Sequence, residues 1–471
     1  MSDLIALQLP RRSVRSARPF HVTLIHPCVG RRAGSRKYMN TWKMEPIPSA
    51  LVSALLPRDV RRTFYDDRME VIPFDAPTDL VAISVETYTA KRAYQIASEY
   101  RQRGVPVVMG GFHATLCPEE VARYAESIVI GEAEDVLAEL IDDHRHDTPK
   151  KIYRSPKRPD PSKVMPDRSI FAGKTYLPIK LVEFARGCRF RCEFCAVQSV
   201  FGATQTHRRV DSVIEELRAV KRPGQLVFFI DDNISSDIES AKELMRALIP
   251  LGIRWVSQSS IDVAFDDEAL DLMKRSGCQG ILVGFESLDH ATLKQMHKAW
   301  NTKNGGMPAA LERFRKYGLR VYGTFVFGYD HDSPETFENT LEVAQSEGLF
   351  IAAFNHITPF PGTPLYERLA KQGRLLSPAW WLDDRYRYGM VPFRPANMSP
   401  EELARLCVDA RRRFYAWRSI GRRLRHSVNY RDPLMLLYYV LINAMHQVDV
   451  LGRHGLPLGD EGHRVALLEA A

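Results

Sequence analysis

The chain has 471 residues, 45% of them hydrophobic and 26% charged, with a formal net charge of +8. That balance excludes a disordered or fibrous protein and leaves room for two or three domains with cores of their own. No apolar run reaches the ~18–20 residues of a membrane-spanning helix, and unpaired cysteines fit a reducing cytoplasm rather than a secreted disulfide scaffold.

Residues 1–20 read as a basic tail, because Arg11, Arg12, Arg15 and Arg18 are followed by no apolar stretch of an export signal. From 21 to 143, strands and helices alternate. Val22–Ile25, Arg61–Tyr65, Leu80–Val85, Val105–Met109 and Ile128–Ile130 read as strands. Ser49–Leu56, Ala90–Arg103 and Asp135–Asp142 read as helices. Continuous apolar strands between helices predict a Rossmann-like parallel sheet covered on both faces, with ligands beyond the carboxyl ends of its strands. Two of those ends carry glycine: Gly110-Gly111, with His113 close behind, and Gly131-Glu132. Glycine lets a backbone approach a ligand, and free amides at a helix start suit an anion. Residues 144–179, with Pro156, Pro159, Pro161 and Pro166, predict an extended linker.

From 180 to 375 the alternation restarts. Lys180–Phe184, Leu226–Ile230, Arg254–Ser259, Gly280–Phe285, Val321–Phe327 and Phe350–Thr358 read as strands. The helices between them are Val210–Val220, Ala241–Ile249, Asp267–Ser276, Met307–Tyr317 and Pro334–Ser346. In α/β barrels the active site lies at the carboxyl ends of the strands. Those ends supply Asp231, Asp232 and Asn233, then Gln258 and Ser260, then Glu286 and Ser287, then Gly328, Tyr329 and Asp330. Tyr329 and Asp330 are the candidates for a catalytic role.

Residues 376–471 read as a mostly helical C-terminal domain. Trp380–Tyr388 is aromatic and polar, as a lid would be, and Glu401–Trp417 reads as a helix capped by Ser399. Arg411–Arg431 holds eight arginines and no acid, and Leu434–Ile442 is an apolar run too short to cross a bilayer. The bland reading is a solvated helix face followed by a buried helix. The sharper one joins 411–446 into a peripheral contact with an anionic membrane surface, and a lipid-like substrate would follow.

Cys188, Cys192 and Cys195 stand in a C-x3-C-x2-C loop straight after the first strand of the second half. Three thiolates can hold three irons of a cubane, leaving the fourth without a protein ligand. A cluster that only carries electrons normally has four cysteine ligands. A zinc site would need a fourth Cys or His at matched spacing, and the nearest later candidate, His207, has no paired ligand. Cys28, Cys117, Cys278 and Cys407 stand alone and read as small buried hydrophobes.

Gly187-Cys188-x3-Cys192-x-Phe194-Cys195 resembles the signature of radical S-adenosylmethionine (SAM) enzymes. The resemblance implies a [4Fe-4S] cluster on the three cysteines, SAM on its open iron, and reductive cleavage to a 5′-deoxyadenosyl radical. It implies a partial (β/α)6 barrel over 180–375. It places Phe194, Glu286, Ser287 and Gly328 around SAM, and the strand-end residues Asp231, Asp232 and Gln258 join them as candidates there. Gly-Gly-x-His-Ala-Thr-x-x-Pro-Glu-Glu120 and Gly-Glu-x-Glu134 resemble the cobalamin-binding domain of one large subfamily. That implies cobalamin near Gly110, Gly111, His113, Gly131 and Glu132, although the Asp-x-His-x-x-Gly segment of many such modules is missing. The implied reaction is methylation of an unactivated carbon in a small molecule, with a donor such as flavodoxin or ferredoxin and no nucleic acid. The alternatives are a radical rearrangement, cyclisation or oxidation without methyl transfer, and a non-catalytic iron–sulfur protein.

Overall fold

The computed structural model describes residues 18–35, 43–220, 224–449, 452 and 454–470, so most of the expected basic tail lies outside the described residues. The chain divides into two compact units. One holds the residues up to Leu177 together with Trp381–Arg387 and the residues from Leu456. The other holds Pro178–Trp380 and Tyr388–Gly455. Residues 376–471, expected as a domain of their own, are divided between them.

The first unit is built on six parallel strands: β1 (His21–His26), β2 (Arg61–Asp66), β3 (Leu80–Ser84), β4 (Val107–Gly110), β5 (Ser127–Ile130) and β6 (Ile152–Arg154). Their order is β2-β1-β3-β4-β5-β6, with His26 opposite Asp66 and Val22 opposite Leu80. The winding reverses at β1. Doubly wound sheets open a crevice at that switch point, beyond the carboxyl ends of the strands. β6 falls inside the expected linker. Only its Tyr153 is buried, with its hydroxyl donating to Asp143 Oδ2 at 2.8 Å. One inward side chain in three gives no readable periodicity. The end of the chain returns to this unit, where Gly459–Asp460 pairs with Gly30–Arg31.

The second unit carries β7 (Ile179–Val182), β8 (Leu226–Phe229), β9 (Arg254–Ser259), β10 (Cys278–Glu286), β11 (Arg320–Phe327) and β12 (Ile351–His356). They are parallel and lie in the order β12-β11-β10-β9-β8-β7, so each strand pairs with its neighbour in sequence. Phe285, Phe325 and Phe354 form a row across β10–β12 at centroid distances of 5.9 and 5.6 Å. Phe414 of the helix Pro400–Phe414 closes on Phe354 at 5.6 Å. Several acids after the strands prove to be helix caps. Asp237 accepts from Ser240 N–H, Asp266 from Ala269 N–H and Asp289 from Thr292 N–H. The helix expected to run to Trp417 breaks at Tyr415, which is 2% exposed and donates its hydroxyl to Ala352 O at 2.7 Å. A separate helix, Trp417–Arg423, follows.

Candidate active site

After β7 the chain makes a short extended segment, Ala185–Gly187, paired antiparallel with Gln205–His207. Three residues hold no period, so neither piece was legible in sequence. The cysteine loop runs between the two. Cys188 and Cys195 are half-buried, Cys192 is buried, and all three are free thiols. The loop backbone is tied on several sides. Gly187 N–H donates to Asp232 Oδ2 at 2.7 Å, and Arg189 N–H to Ser236 Oγ at 2.8 Å. Glu193 donates its N–H to Met296 O at 3.1 Å, while its carbonyl accepts from Leu365 N–H at 3.0 Å. Phe190 stacks on Trp300 with centroids 3.9 Å apart, and Arg368 holds the Glu193 carboxylate at 2.7 Å.

The sulfurs sit among donors. Asn233 Nδ2 lies 3.5 Å from Cys188 Sγ. Burial pushes the Cys195 thiol up, opposed by hydrogen bonds from the Gln198 and Val197 amides. Burial pushes Cys192 up to about 12, with the Lys298 ammonium working against it. N–H donors and a buried cation favour sulfur as thiolate once a cationic partner is present. Among the described residues, no group of three or more His, Cys, Asp or Glu side chains is arranged to hold a single metal ion. A cubane asks for something different, one thiolate at each of three separate iron corners. The donor set fits such a cluster.

The strand ends beside the loop divide into residues turned to structural work and residues left near the cysteines. Asp231 is fully buried; its Oδ1 accepts from Phe184 N–H at 2.8 Å, and burial pushes its carboxyl up to about 8. Gln258 donates to the Asp231 carbonyl at 2.6 Å. Both were expected at SAM; the contacts they make here lock β8 to its neighbours, and Asp231 Oδ2 is left buried without a partner among the described residues. Asp232 holds the backbone of Gly187, as above. Gly328 was expected to lie against a ligand. Its φ is +112°, and a Cβ there would meet Leu403 Cδ2 at 2.8 Å and Phe393 Cζ at 2.9 Å. The glycine makes room for protein packing. Asp330 is held by Arg374 at 2.6 Å, and Gln295 donates to it at 2.5 Å. Burial works to raise its carboxyl, but these contacts overcome it and hold the group below the usual range. It is therefore committed as an anion. Tyr329 is buried, and burial with the Glu193 carboxylate pushes its phenol up.

Phe194 is half-buried against the core of this unit. Glu286 stands at a bulge in β10, where the register slips between Gly284 and Glu286, and takes φ +64°. Its Oε1 accepts from Lys298 Nζ at 2.7 Å, and Lys298 also donates to Gly284 O at 2.9 Å. A Cβ on residue 284 would sit 2.2 Å from Glu286 Oε1. Burial would lower the Lys298 ammonium, but Glu286 and Cys192 outweigh that and leave it raised. Ser287 Oγ accepts from Asp289 N–H at 3.1 Å. Lys298, Trp300, Glu193 and Arg368 were not singled out from sequence. They belong to no periodic pattern, and only the fold brings 296–301 against the cysteine loop.

In the first unit, His113 is fully buried with both ring nitrogens engaged, at 3.2 Å from Thr87 Oγ1 and 3.1 Å from Glu120 Oε1. Trp381 packs edge-on to it at 5.4 Å and donates to Glu120 at 3.0 Å. His113 is thus a satisfied core histidine, and Trp381 is buried beside it. Glu132, expected near cobalamin, is taken by Arg158 at 2.8 Å. Gly111 has φ +105°, and a Cβ there would sit 2.8 Å from Val85 O, so its form is set by the close approach of β3. Gly110 ends β4, and the space above Gly131 is open. Open space above Gly131 at the carboxyl end of β5, with both nitrogens of His113 already engaged, fits a cobalamin that takes no ligand from His113.

Residues 182–344 match the family model "Radical SAM superfamily" and residues 67–141 the "B12 binding domain". The chain is 30% identical over 406 residues to the bacteriochlorophyllide d C-12(1)-methyltransferase of Chlorobaculum tepidum, covering 84% of this chain and 87% of that protein. It is 26% identical over 351 residues to the hopanoid C-2 methylase of Rhodopseudomonas palustris, covering 71% and 66%. Among solved structures its fold is similar to that of the radical SAM methyltransferase TsrM from Kitasatospora setae with cobalamin and [4Fe-4S] cluster bound (TM-score 0.57, 19% identity, 75% and 78% covered). It is also similar to the cobalamin-dependent SAM radical enzyme OxsB with aqua-cobalamin and SAM bound (TM-score 0.61, 14% identity, 92% and 72% covered). These matches make the protein an enzyme of methyltransferase type whose cofactors are a [4Fe-4S] cluster, SAM and cobalamin. The chain belongs to the radical SAM superfamily, in the branch that joins a radical SAM domain to a B12-binding domain.

Proposed function

We propose that Cys188, Cys192 and Cys195 are the cluster ligands, and that the protein methylates an unactivated carbon of an apolar, lipid-like small molecule. The observation that carries the ligand assignment is the ring of donors and the buried cation around three free sulfurs on one braced loop. When bound, the cluster and SAM supply the radical, and cobalamin supplies the methyl group. The chain's own residues hold this chemistry in place. Asp232, Ser236 and Met296 brace the loop backbone. Phe194 and the half of Glu286 not used by Lys298 face the SAM side. Ser287 and Asn233 frame that site, and Gly131 leaves backbone room on the cobalamin side, with Gly110 ending the neighbouring strand. The substrate class is supported by the relatives, whose names give bacteriochlorophyllide d and hopanoid as methyl acceptors. The electron donor proposed is a flavodoxin or ferredoxin in a cytoplasmic setting. Contact of residues 411–446 with a membrane surface is a separate proposal that rests on that segment alone.

The test is anaerobic reconstitution with SAM and a reductant. Changing all three loop cysteines to alanine should remove both iron and 5′-deoxyadenosine formation, while Cys278→Ala retains them. With substrate, S-adenosylhomocysteine should appear alongside 5′-deoxyadenosine. Iron retained by the triple variant would overturn the ligand assignment. 5′-Deoxyadenosine formed without S-adenosylhomocysteine would overturn methylation.

A further inference from the structure

The helix Pro433–Asp449 shows two faces. Met435, Tyr439 and Asn443 are buried. Met435 and Tyr439 pack with Phe350 and with Ile420 of the helix Trp417–Arg423. Tyr439 donates its hydroxyl to Ile420 O at 2.9 Å, and the fully buried Arg423 donates to Asn443 Oδ1 at 2.9 Å. These contacts fix how both helices are turned. At 3.6 residues per turn, Leu437, Leu441 and Val448 fall within about 40° of one another and diametrically opposite Tyr439. They are 52%, 48% and 82% exposed, and Val440 flanks them at 36%. The expected burial of this apolar run therefore holds for one face only.

The arginines before the helix divide in the same way. Arg413 pairs with Glu338, Arg422 with Glu342, and Arg423 is the buried latch. Arg412, Arg418, Arg425 and Arg431 are exposed and make no ion pair among the described residues. Trp417 and Tyr430 stand among them, 58% and 47% exposed. An apolar stripe on a helix too short to cross a bilayer, preceded in the chain by unpaired arginines and exposed aromatic rings, has the make-up of an interfacial element. Its charge complements an anionic headgroup layer, toward which each nearby arginine is drawn.

We infer that this face docks on an anionic lipid bilayer, with Leu437, Leu441 and Val448 entering the headgroup boundary and Arg412, Arg418, Arg425 and Arg431 meeting the lipid charges. The inference deepens the peripheral-contact proposal and does not depend on the radical chemistry. The test is co-sedimentation of the intact protein with vesicles of phosphatidylcholine and phosphatidylglycerol, and with phosphatidylcholine alone. The expected result is binding to the anionic vesicles that weakens with added salt. The variant Leu437→Ser/Leu441→Ser/Val448→Ser should bind at least ~10-fold more weakly. The variant Arg412→Gln/Arg418→Gln/Arg425→Gln/Arg431→Gln should lose the preference for anionic lipid. All these side chains are on the surface, so both variants should melt as the parent does by circular dichroism. Three results would overturn the inference: no binding of the intact protein to either vesicle, equal binding by the serine variant, or a solution dimer that the serine substitutions split and that ignores vesicles. Because vesicle binding is read without SAM, failure here leaves the assigned chemistry standing, and loss of SAM cleavage leaves this result standing.

Discussion

Lys298 shows how a single side chain can carry a site. Its ammonium is the buried partner of Glu286 and the cation that Cys192 feels. Removing one member of a buried pair leaves the other uncompensated, a cost of roughly 3–5 kcal/mol. Lys298→Met should therefore destabilise by about that amount in urea unfolding. Lys298→Met/Glu286→Gln should recover much of the loss, because neither side then holds a charge. Asp231 makes a different prediction. Its folded carboxyl lies at about 8, against roughly 3.9 for an ordinary aspartate. The folded state thus keeps a proton that the unfolded chain gives up. The sign follows: this contribution to stability is complete below the ordinary value and is lost as pH rises through 8, by up to ~1.4 kcal/mol per pH step between the two. Unfolding free energies from pH 5 to 9 should fall more steeply for the parent than for Asp231→Asn. Parallel curves would show that Asp231 is not the titrating group.

The strand ends show how elements turn sequence candidates into structure. Acids and glycines after parallel strands read as ligand groups, because that is where α/β proteins put their sites. Here two of those candidates, Asp231 and Gln258, couple β8 to its neighbours, and the acids further along the same loops, Asp237, Asp266 and Asp289, cap helices. Gly328 is a packing glycine under Leu403 and Phe393. Gly328→Ala therefore combines a steric clash with a positive φ, and should destabilise by about 2–4 kcal/mol by thermal or urea unfolding. The loss should shrink in a Leu403→Ala background, which opens part of the space that the new methyl needs. If Gly328 were instead a ligand contact, the same change would weaken SAM binding with stability unaltered.

At the level of the whole chain, residues 456–470 come back to the first unit. They lie along the helix Ala90–Gln102, where Asp460 exchanges hydrogen bonds with Gln95 and Leu468 N–H reaches Ser98 Oγ at 2.9 Å. Asp460 also sits 3.7 Å from both Arg31 and Arg92, beside the buried Asp67. Truncation after Gly455 should raise amide hydrogen exchange in 21–31 and 90–102 while the strands β7–β12 keep their protection. Uniform exchange across the chain would show that the return segment is not specific to the first unit.

The alternation of apolar runs with helices was enough to derive both parallel sheets and nearly every strand, because continuous burial leaves a continuous apolar signature in the chain. The cysteine spacing was equally local, since three ligands on one loop need no tertiary contact to be brought together. What the linear pattern could not hold was the use of each polar residue. Whether Glu132 meets Arg158, whether Glu286 meets Lys298, and which side of Pro433–Asp449 is left bare depend on partners distant in sequence. A carboxylate looks the same in a chain whether it faces a ligand, a cap or a cation, and only the packing of other elements around it makes that choice.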